Sequence, residues 1–570
     1  MQLINFKEAN CKNCYRCVRA CPVKAIKFKN HQAIIDDKRC IACGQCFVVC
    51  PQNARDVKSD LLKIEAALRD KTIKVVALIA PSFTGFYMNK GGFVSGLKQL
   101  GFDEVVEVSV GAEQVTKNYS DYLKDNDPFY AISSCCPTIN LLVRRYYSEL
   151  TGSLLPVVSP MLATGKMVKK ENPESYTVFI SPCLSKKCEP LSVGNENIID
   201  GVLSMEEVNH LFMNQNINPE DLIATIPDVV SSLGGSEYPI KGGIGKSLGL
   251  LLEEKGYDLL HVEGINQVKD VLDEMVRGDL SKAFIELSAC SESCISGPLI
   301  PSNSIPTFRR KQLVRNHAKE GWGKPGRSIS FEDINLKTTY EPSPVYLEKF
   351  SEEEIVKTLS RMGKRKKEDE LDCGACGYNN CRDKARAVLE GMSEVTMCMP
   401  FMQTKAEHMR DIIFYNSPNM IFLLDENLSI LQINPSAEIT FHVKAENMKN
   451  IPMAYLLNDD TIEKVWATQK SDLNRRMTYE AQELVVMQSI IYLSKDNQIL
   501  IIMADITDEE NRRKELLKMK ENTVKITQDV IEKQMRVAHE IASLLGETTA
   551  ETKVALNKLK AIVMEEGEIS

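Results

Sequence analysis

The sequence predicts a multidomain α/β protein, and three observations carry that expectation. At 570 residues the chain is too long for one hydrophobic core. Its cysteines gather in separate clusters rather than being spread along the chain. Between Lys71 and about Pro342, apolar runs (residues 73–80, 105–110, 129–133 and 178–181) alternate with longer amphipathic stretches, the pattern of parallel sheets covered by helices. The expected order is a cysteine-rich domain at 1–60, two α/β lobes at 71–345, a small helical cysteine domain at 346–405, an α+β domain at 406–508, and a helical tail at 509–570.

Composition removes several classes. A net charge of −8 argues against general nucleic-acid binding, and the basic run at 364–367 is followed at once by acidic residues, as in a solvated linker. No apolar run is long enough to span a bilayer, and the first residues lack a signal-peptide core, so the expected location is cytoplasmic, with no membrane partner. Eighteen cysteines in a long chain of this kind read as thiolate ligands rather than as a disulfide framework.

The first cluster is a duplication. Cys11, Cys14, Cys17 and Cys21-Pro22 repeat as Cys40, Cys43, Cys46 and Cys50-Pro51. This resembles the bacterial two-cluster ferredoxin pattern, in which each fourth cysteine crosses to the other cube. The resemblance assigns Cys11, Cys14, Cys17 and Cys50 to one 4Fe-4S cluster and Cys40, Cys43, Cys46 and Cys21 to the other. Structural zinc is the alternative, but zinc motifs do not repeat with this crossed spacing.

Further thiols stand at apparent strand ends: Cys135-Cys136-Pro137, Pro182-Cys183-x-x-Lys186-x-x-Glu189, and Glu286-x-x-x-Cys290-x-x-x-Cys294-x-x-Gly297. Groups at the carboxyl ends of several strands converge on one crevice in open α/β sheets. The ordered triple resembles the three signatures of the FeFe-hydrogenase active-site domain, over roughly 72–345. The resemblance implies that Cys136, Cys183, Cys290 and Cys294 hold the 4Fe-4S part of an H-cluster. Cys294 would bridge to a diiron subsite carrying CO, CN and a dithiolate. It further implies that Ala80-Pro81-Ser82 contacts that subsite, that Lys186 donates to a cyanide, and that Cys135 and Glu189 relay protons.

The chain departs from that family in informative places. Where catalytic members carry methionines near the diiron site, this chain has Ser181 and Ser288, and the usual Pro-Gly-Gly is Ser291-Glu292-Ser293. More polar surroundings shift metal potentials. Tyr119 and Tyr122 stand where the family has relay glutamates, and tyrosine carries protons poorly near neutral pH. A glycine-rich stretch at 242–247 ends like a phosphate loop but has Ile240 where the Walker pattern requires glycine, so it is read as a tight helix entry.

Cys373, Cys376, Cys381 and Cys398 resemble the ligands of a small 4Fe-4S domain, with zinc as the alternative. Cys188 is left without a role. Beyond Cys398 there are no cysteines. Hairpin-like runs near 420–436, strand-like runs at 485–493 and 498–506, and the closing Asp505-Ile-Thr-Asp508 resemble a PAS domain of unknown ligand, with His442 a helix-end residue. From 509 the tail places Leu517, Val524, Ile531, Ala538 and Leu545 seven apart, a coiled-coil seam with Met535, Ala542, Leu556 and Val563 beside it. His539 is read as an exposed neighbour of the seam.

Together these features resemble the sensory group of FeFe-hydrogenases, oxidising hydrogen and reducing protons slowly. The implied partners are hydrogen and protons, a ferredoxin or similar low-potential electron carrier, a second copy through the tail, and a kinase, phosphatase or regulator. A metabolic ferredoxin-linked hydrogenase, and an iron–sulfur assembly or electron-transfer protein without a diiron site, are the two alternatives.

Overall fold

A computed structural model describes residues 4–6, 10–29, 32–231, 234–301, 304–323, 326–327, 330–545, and 554, 555, 557 and 558. They fall into two compact units, Met1–Met402 and Gln403–Ser570.

The first unit opens with the cysteine duplication. Strand β1 (Ile4–Phe6) and later β4 (Arg55–Val57) pair antiparallel, as do β2 (Ile26–Lys29) and β3 (Gln32–Ile35) between them. Short helices Arg16–Ala20 and Gln45–Val48 occupy equivalent places in the two repeats. The duplication extends to backbone torsions. Left-handed residues fall at Asn13, Tyr15 and Lys24 in the first repeat and at Ala42, Gly44 and Asn53 in the second, at matching offsets from their cysteines. Non-glycine residues adopt that region rarely, so five of them at repeated positions mark a loop shape set by what it encloses.

Two parallel sheets follow. Strands β5 (Val75–Ile79), β6 (Glu104–Glu107), β8 (Tyr176–Ile180) and β9 (Gly201–Leu203) form a four-stranded sheet in the order β6-β5-β8-β9. Strand β7 (Tyr130–Ile132) instead joins β10 (Asp258–Glu263) and β11 (Ala283–Ser288) in the order β10-β11-β7. Every residue of β5 is buried, as a strand covered on both faces requires. The expected strand at 105–110 stops at Glu107, and its last apolar residues enter the Ser109–Asn126 helix. A short apolar run does not distinguish a buried strand from a buried helix start. That helix lies against Pro160–Glu171 at Gly111, where an added Cβ would stand 2.3 Å from Thr164 Oγ1 and 2.5 Å from the Pro160 carbonyl.

The unit closes with helices Glu352–Arg361 and Cys381–Leu389 packed together around Ile355, Leu359 and Ala385. Ser351 and Glu354 form a reciprocal cap on the first, and Asn380 caps the second.

The second unit holds a five-stranded antiparallel sheet. Strands β12 (Met420–Leu424) and β13 (Ile430–Ile433) form the expected hairpin, and β14 (Asp472–Tyr479), β15 (Leu484–Leu493) and β16 (Gln498–Asp505) complete the order β13-β12-β16-β15-β14. Asn434, fully buried after β13, accepts from Ile421 and Ala437 N–H groups and donates to the Phe414 and Asn419 carbonyls. A long helix, Thr507–Leu545, follows, with Leu517, Ile526, Val530, Val537 and Ile541 exposed along it. The expected positions Leu556 and Val563, and the side chains of Ala542 and Leu545, lie outside the described residues.

Candidate iron–sulfur and diiron sites

The carboxyl ends of β5 and β8 from one sheet, and of β7 and β11 from the other, meet at one place. The loops after them enclose a cavity of about 100 Å³ whose lining includes Pro81, Ser82, Cys135, Lys186, Ser288 and Cys294. Ala80 and Cys136 also reach it, so the expected contact loop and two of the four expected ligands share one cavity. Ser181 does not: it is buried, and its hydroxyl accepts the Cys183 N–H at 3.3 Å.

Cys136, Cys183, Cys290 and Cys294 are free thiols on three separate loops. Burial pushes the Cys290 thiol well above its ordinary pKa, and the nearby Cys183, Cys136, Cys294 and Cys43 thiols push it further. Cys294 has the most accessible surface of the four and lines the cavity with it, yet burial and the Cys183 and Cys136 thiols raise its pKa as well. Four mutually crowding thiols in a buried site suit a group that takes them all as thiolates. Among the described residues, no three His, Cys, Asp or Glu side chains are close enough to share one metal ion. The fit to a cube therefore rests on the donor set and its crowding, each thiolate binding its own iron.

Lys186 points its ammonium at Glu189, with Nζ 2.6 Å from Oε2, and Ser159 Oγ donates to the same oxygen at 3.0 Å. The carboxylate that a buried lysine requires is thus supplied within the motif itself. Cys135 has a different neighbour: Tyr119 Oη lies 3.4 Å from its Sγ, 2.9 Å from Ser134 Oγ, and accepts the Ser134 N–H at 2.9 Å. Burial pushes Cys135 up to about 12, against the Tyr119 hydrogen bond. Tyr119, wholly buried, is raised well above its ordinary value by that burial and by Cys135. Tyr122 is only partly buried, packed against the core.

Sequence reasoning placed Glu286 at the head of the third signature without a role, and it lines the same cavity. Its carboxylate accepts N–H groups from Gly242 at 3.1 Å, Ile244 at 3.2 Å and Gly245 at 2.9 Å, and His261 Nδ1 lies 3.3 Å away. The phosphate-loop-like stretch therefore spends its helix N-terminus on an internal carboxylate. Gly245 is needed for that approach, since a Cβ there would stand 2.5 Å from Leu259 and 2.8 Å from His261. Tyr238, also on the cavity and bonded to Thr116 Oγ1 at 2.6 Å, was missed. Neither residue carries a motif signal beyond Glu286's place before Cys290.

In the duplicated repeat, the Cys46 thiol is pushed up to about 12 by burial, with Cys40, Cys21 and Cys17 as its thiol neighbours. Cys43 is raised by burial and then by Cys21, Cys46 and Cys40. Cys21, from the first repeat, thus stands among the thiols of the second, as the crossed pattern requires. The Ala25 and Ala54 N–H groups donate to Cys21 and Cys50 Sγ at 3.2 and 3.4 Å, again at matching offsets. Cys373, Cys376, Cys381 and Cys398 line one small pocket together.

Residues 73–298 match the model of the iron only hydrogenase large subunit, C-terminal domain; residues 10–54 match a 4Fe-4S dicluster domain, and residues 369–400 an Fe-S cluster domain. Over residues 73–298 the chain is similar to the iron-only hydrogenase family. It is 27% identical over 367 residues to iron hydrogenase 1 of Clostridium pasteurianum, covering 51% of this chain and 63% of that one. It is 26% identical over 379 residues to the periplasmic Fe hydrogenase large subunit of Nitratidesulfovibrio vulgaris, covering 49% of this chain and 89% of that one. Among solved structures, an apo FeFe-hydrogenase variant from Chlamydomonas reinhardtii matches at 17% identity and a TM-score of 0.39, covering 50% of this chain and all of that one. No helix among the described residues is long and apolar enough to cross a membrane.

Proposed function

We propose that the chain is a sensory FeFe-hydrogenase, in which slow interconversion of hydrogen and protons sets the redox state of iron–sulfur cubes and a C-terminal domain and tail report it. The observation that carries the hydrogenase part is the convergence of Ala80–Ser82, Cys135, Cys136, Lys186, Ser288 and Cys294 on one cavity. Bound there, an H-cluster supplies the redox-active diiron subsite at which hydrogen is split or formed. Cys136, Cys183, Cys290 and Cys294 would hold its cube, with Cys136 and Cys294 reaching it from the cavity wall. Lys186, charged through its pair with Glu189, presents an ammonium donor to the cavity. Cys135 delivers or takes the proton at the cavity wall.

The proton path outward is where this chain's residues limit the rate. Cys135, pushed up to about 12 by burial, is hydrogen-bonded to Tyr119, which burial also raises, and groups held so far above neutral pH pass protons slowly. Slow turnover follows. A slow enzyme is of use where the product is a state rather than a flux.

Residues 1–60, 71–345 and 346–405 are read as the electron-handling domains, residues 406–508 as a PAS domain, and residues 509–570 as a coiled coil through which two copies pair. The β13-β12-β16-β15-β14 order and the exposed apolar row on the Thr507–Leu545 helix support the last two readings. The partner for output is a kinase, phosphatase or regulator, and the electron partner a ferredoxin or similar carrier. Hydrogen exchange on residues 509–545 is to be compared under hydrogen and under a mild oxidant, with cluster reduction followed in the same samples. Different protection in the two states, in a dimer, supports the sensory reading. Identical protection, or a monomer at micromolar concentration, removes it and leaves a metabolic hydrogenase.

A further inference from the structure

The loop carrying Cys373, Cys376 and Cys381 is fastened to the ferredoxin-like repeat. Lys24 Nζ donates to the Gly377 carbonyl at 2.8 Å and to the Val18 and Arg19 carbonyls at 3.2 and 3.3 Å, so all three ammonium donors join the loop to the Arg16–Ala20 helix. Gly377, at a φ of +94°, presses so close that an added Cβ would stand 2.8 Å from Val18 and 3.1 Å from the Arg19 nitrogen. The Phe28 N–H donates to the Met392 carbonyl at 2.9 Å, and Arg39 pairs with Glu390 at 2.8 Å. Arg19 ties the same loop from its exposed side, bonding both the Ala375 and Cys14 carbonyls.

Two faces of one cysteine quartet are involved. Cys21 shares an apolar cluster with Tyr378, Met392 and Met397, with Cys376 packed against it. Cys43, of the same expected quartet, packs with Cys136 against a second cluster that includes Ala289. Burial lowers the pKa of Lys24, the Cys21 and Cys376 thiols and Asp383 oppose that, and Lys269 adds to it.

We propose that Lys24 is the positioning residue of an electron junction: it clamps the Cys376 loop against Cys21, so that the C-terminal cube exchanges electrons with the cube of Cys21, Cys40, Cys43 and Cys46, whose Cys43 side faces the hydrogenase crevice. Each step moves one electron from a reduced cube to an oxidised one; no bond forms or breaks, and the ammonium keeps its protons. The inference rests on the reading that these cysteines hold cubes, and is independent of hydrogen chemistry. The positive charge shared by the two cubes stabilises their reduced, more negative states.

The test uses full-length protein reconstituted anaerobically with iron and sulfide, without a diiron subsite, with iron counted before spectroscopy. Reduced wild-type protein is expected to show magnetic coupling between the C-terminal cube and the junction cube. Lys24→Met at equal iron content should weaken that coupling and lower the midpoint potentials of both cubes, while Lys24→Arg retains them. The proposal is overturned if Lys24→Met leaves coupling and potentials unchanged. It is equally overturned if the coupling survives Cys46→Ala but is lost in Cys14→Ala, which would make the other ferredoxin cube the partner. Wild-type protein that takes up no cubes at these cysteines refutes the ligand reading itself, and is recognised by its iron count.

Discussion

Lys186 and Glu189, one helical turn apart in the loop after Cys183, form a buried ion pair with Nζ 2.6 Å from Oε2. Burial opposes the charge on Lys186, and Glu189 outweighs it, holding the ammonium's pKa above the ordinary lysine value. A raised folded-state pKa gives stability that is complete below the unfolded value and is lost only as pH rises through the folded one. The pair is therefore intact throughout the physiological range and weakens above about pH 10.4. Glu189→Gln strands the ammonium and should cost about 3–5 kcal/mol, measured by denaturant unfolding of cofactor-free protein. Lys186→Met with Glu189→Leu should recover most of that loss while leaving the cavity without its donor.

Acid should act through a neighbouring pair. Lys187, buried, donates to Glu207 at 2.9 Å and to the Val202 carbonyl at 2.9 Å, tying the Cys183 loop to β9. Burial raises the Glu207 pKa, but Lys187 and the Ser204 N–H lower it by more. The stabilisation is thus present above about pH 4.3 and is lost as pH falls through the depressed folded value. Glu207→Gln should lower stability above that point, where the pair is intact, and flatten the fall on its acid side.

Glu286 holds three helix-start N–H groups. Glu286→Ala should cost roughly 2–4 kcal/mol, because each buried donor left unpaired costs about 1–3 kcal/mol and water recovers part of it. Faster hydrogen exchange at Ile244 and Gly245, with little change at Leu252, would locate the effect.

Cys135→Ala should lower hydrogen turnover about a hundredfold or more, as loss of a positioned acid–base group does. Tyr119→Phe should lower it little, since a relay that carries few protons has few to lose; film voltammetry reads both. Turnover as fast as that of a metabolic enzyme in the unmodified protein would contradict the rate limit assigned to Tyr119.

Much of this was legible from cysteine spacing, because ligand spacing is written locally in the chain. Cys11 to Cys50, the triple around Cys136, Cys183 and Cys290, and Cys373 to Cys398 needed no tertiary information. The role of Glu286 was not legible: its partners are backbone N–H groups more than forty residues away, and backbone leaves no residue signature. Nor was the Lys186–Glu189 ion pair, since the motif supplies both residues without saying which partner each takes. Strand β14 was missed because Asp-Leu-Asn-Arg-Arg-Met-Thr-Tyr shows no apolar alternation, and its residues are mostly exposed at the sheet edge. The junction at Lys24 depends on two cysteine clusters over three hundred residues apart in sequence.

Infrared spectroscopy of the fully matured protein tests the central assignment most directly. Carbon monoxide and cyanide stretching bands are expected in the wild-type chain. They should be lost in Cys294→Ser while the cubes at Cys11 to Cys50 and Cys373 to Cys398 keep their absorbance. A wild-type protein with its cubes filled and no such bands would contradict the diiron reading, as would a Cys294→Ser variant whose bands are unchanged.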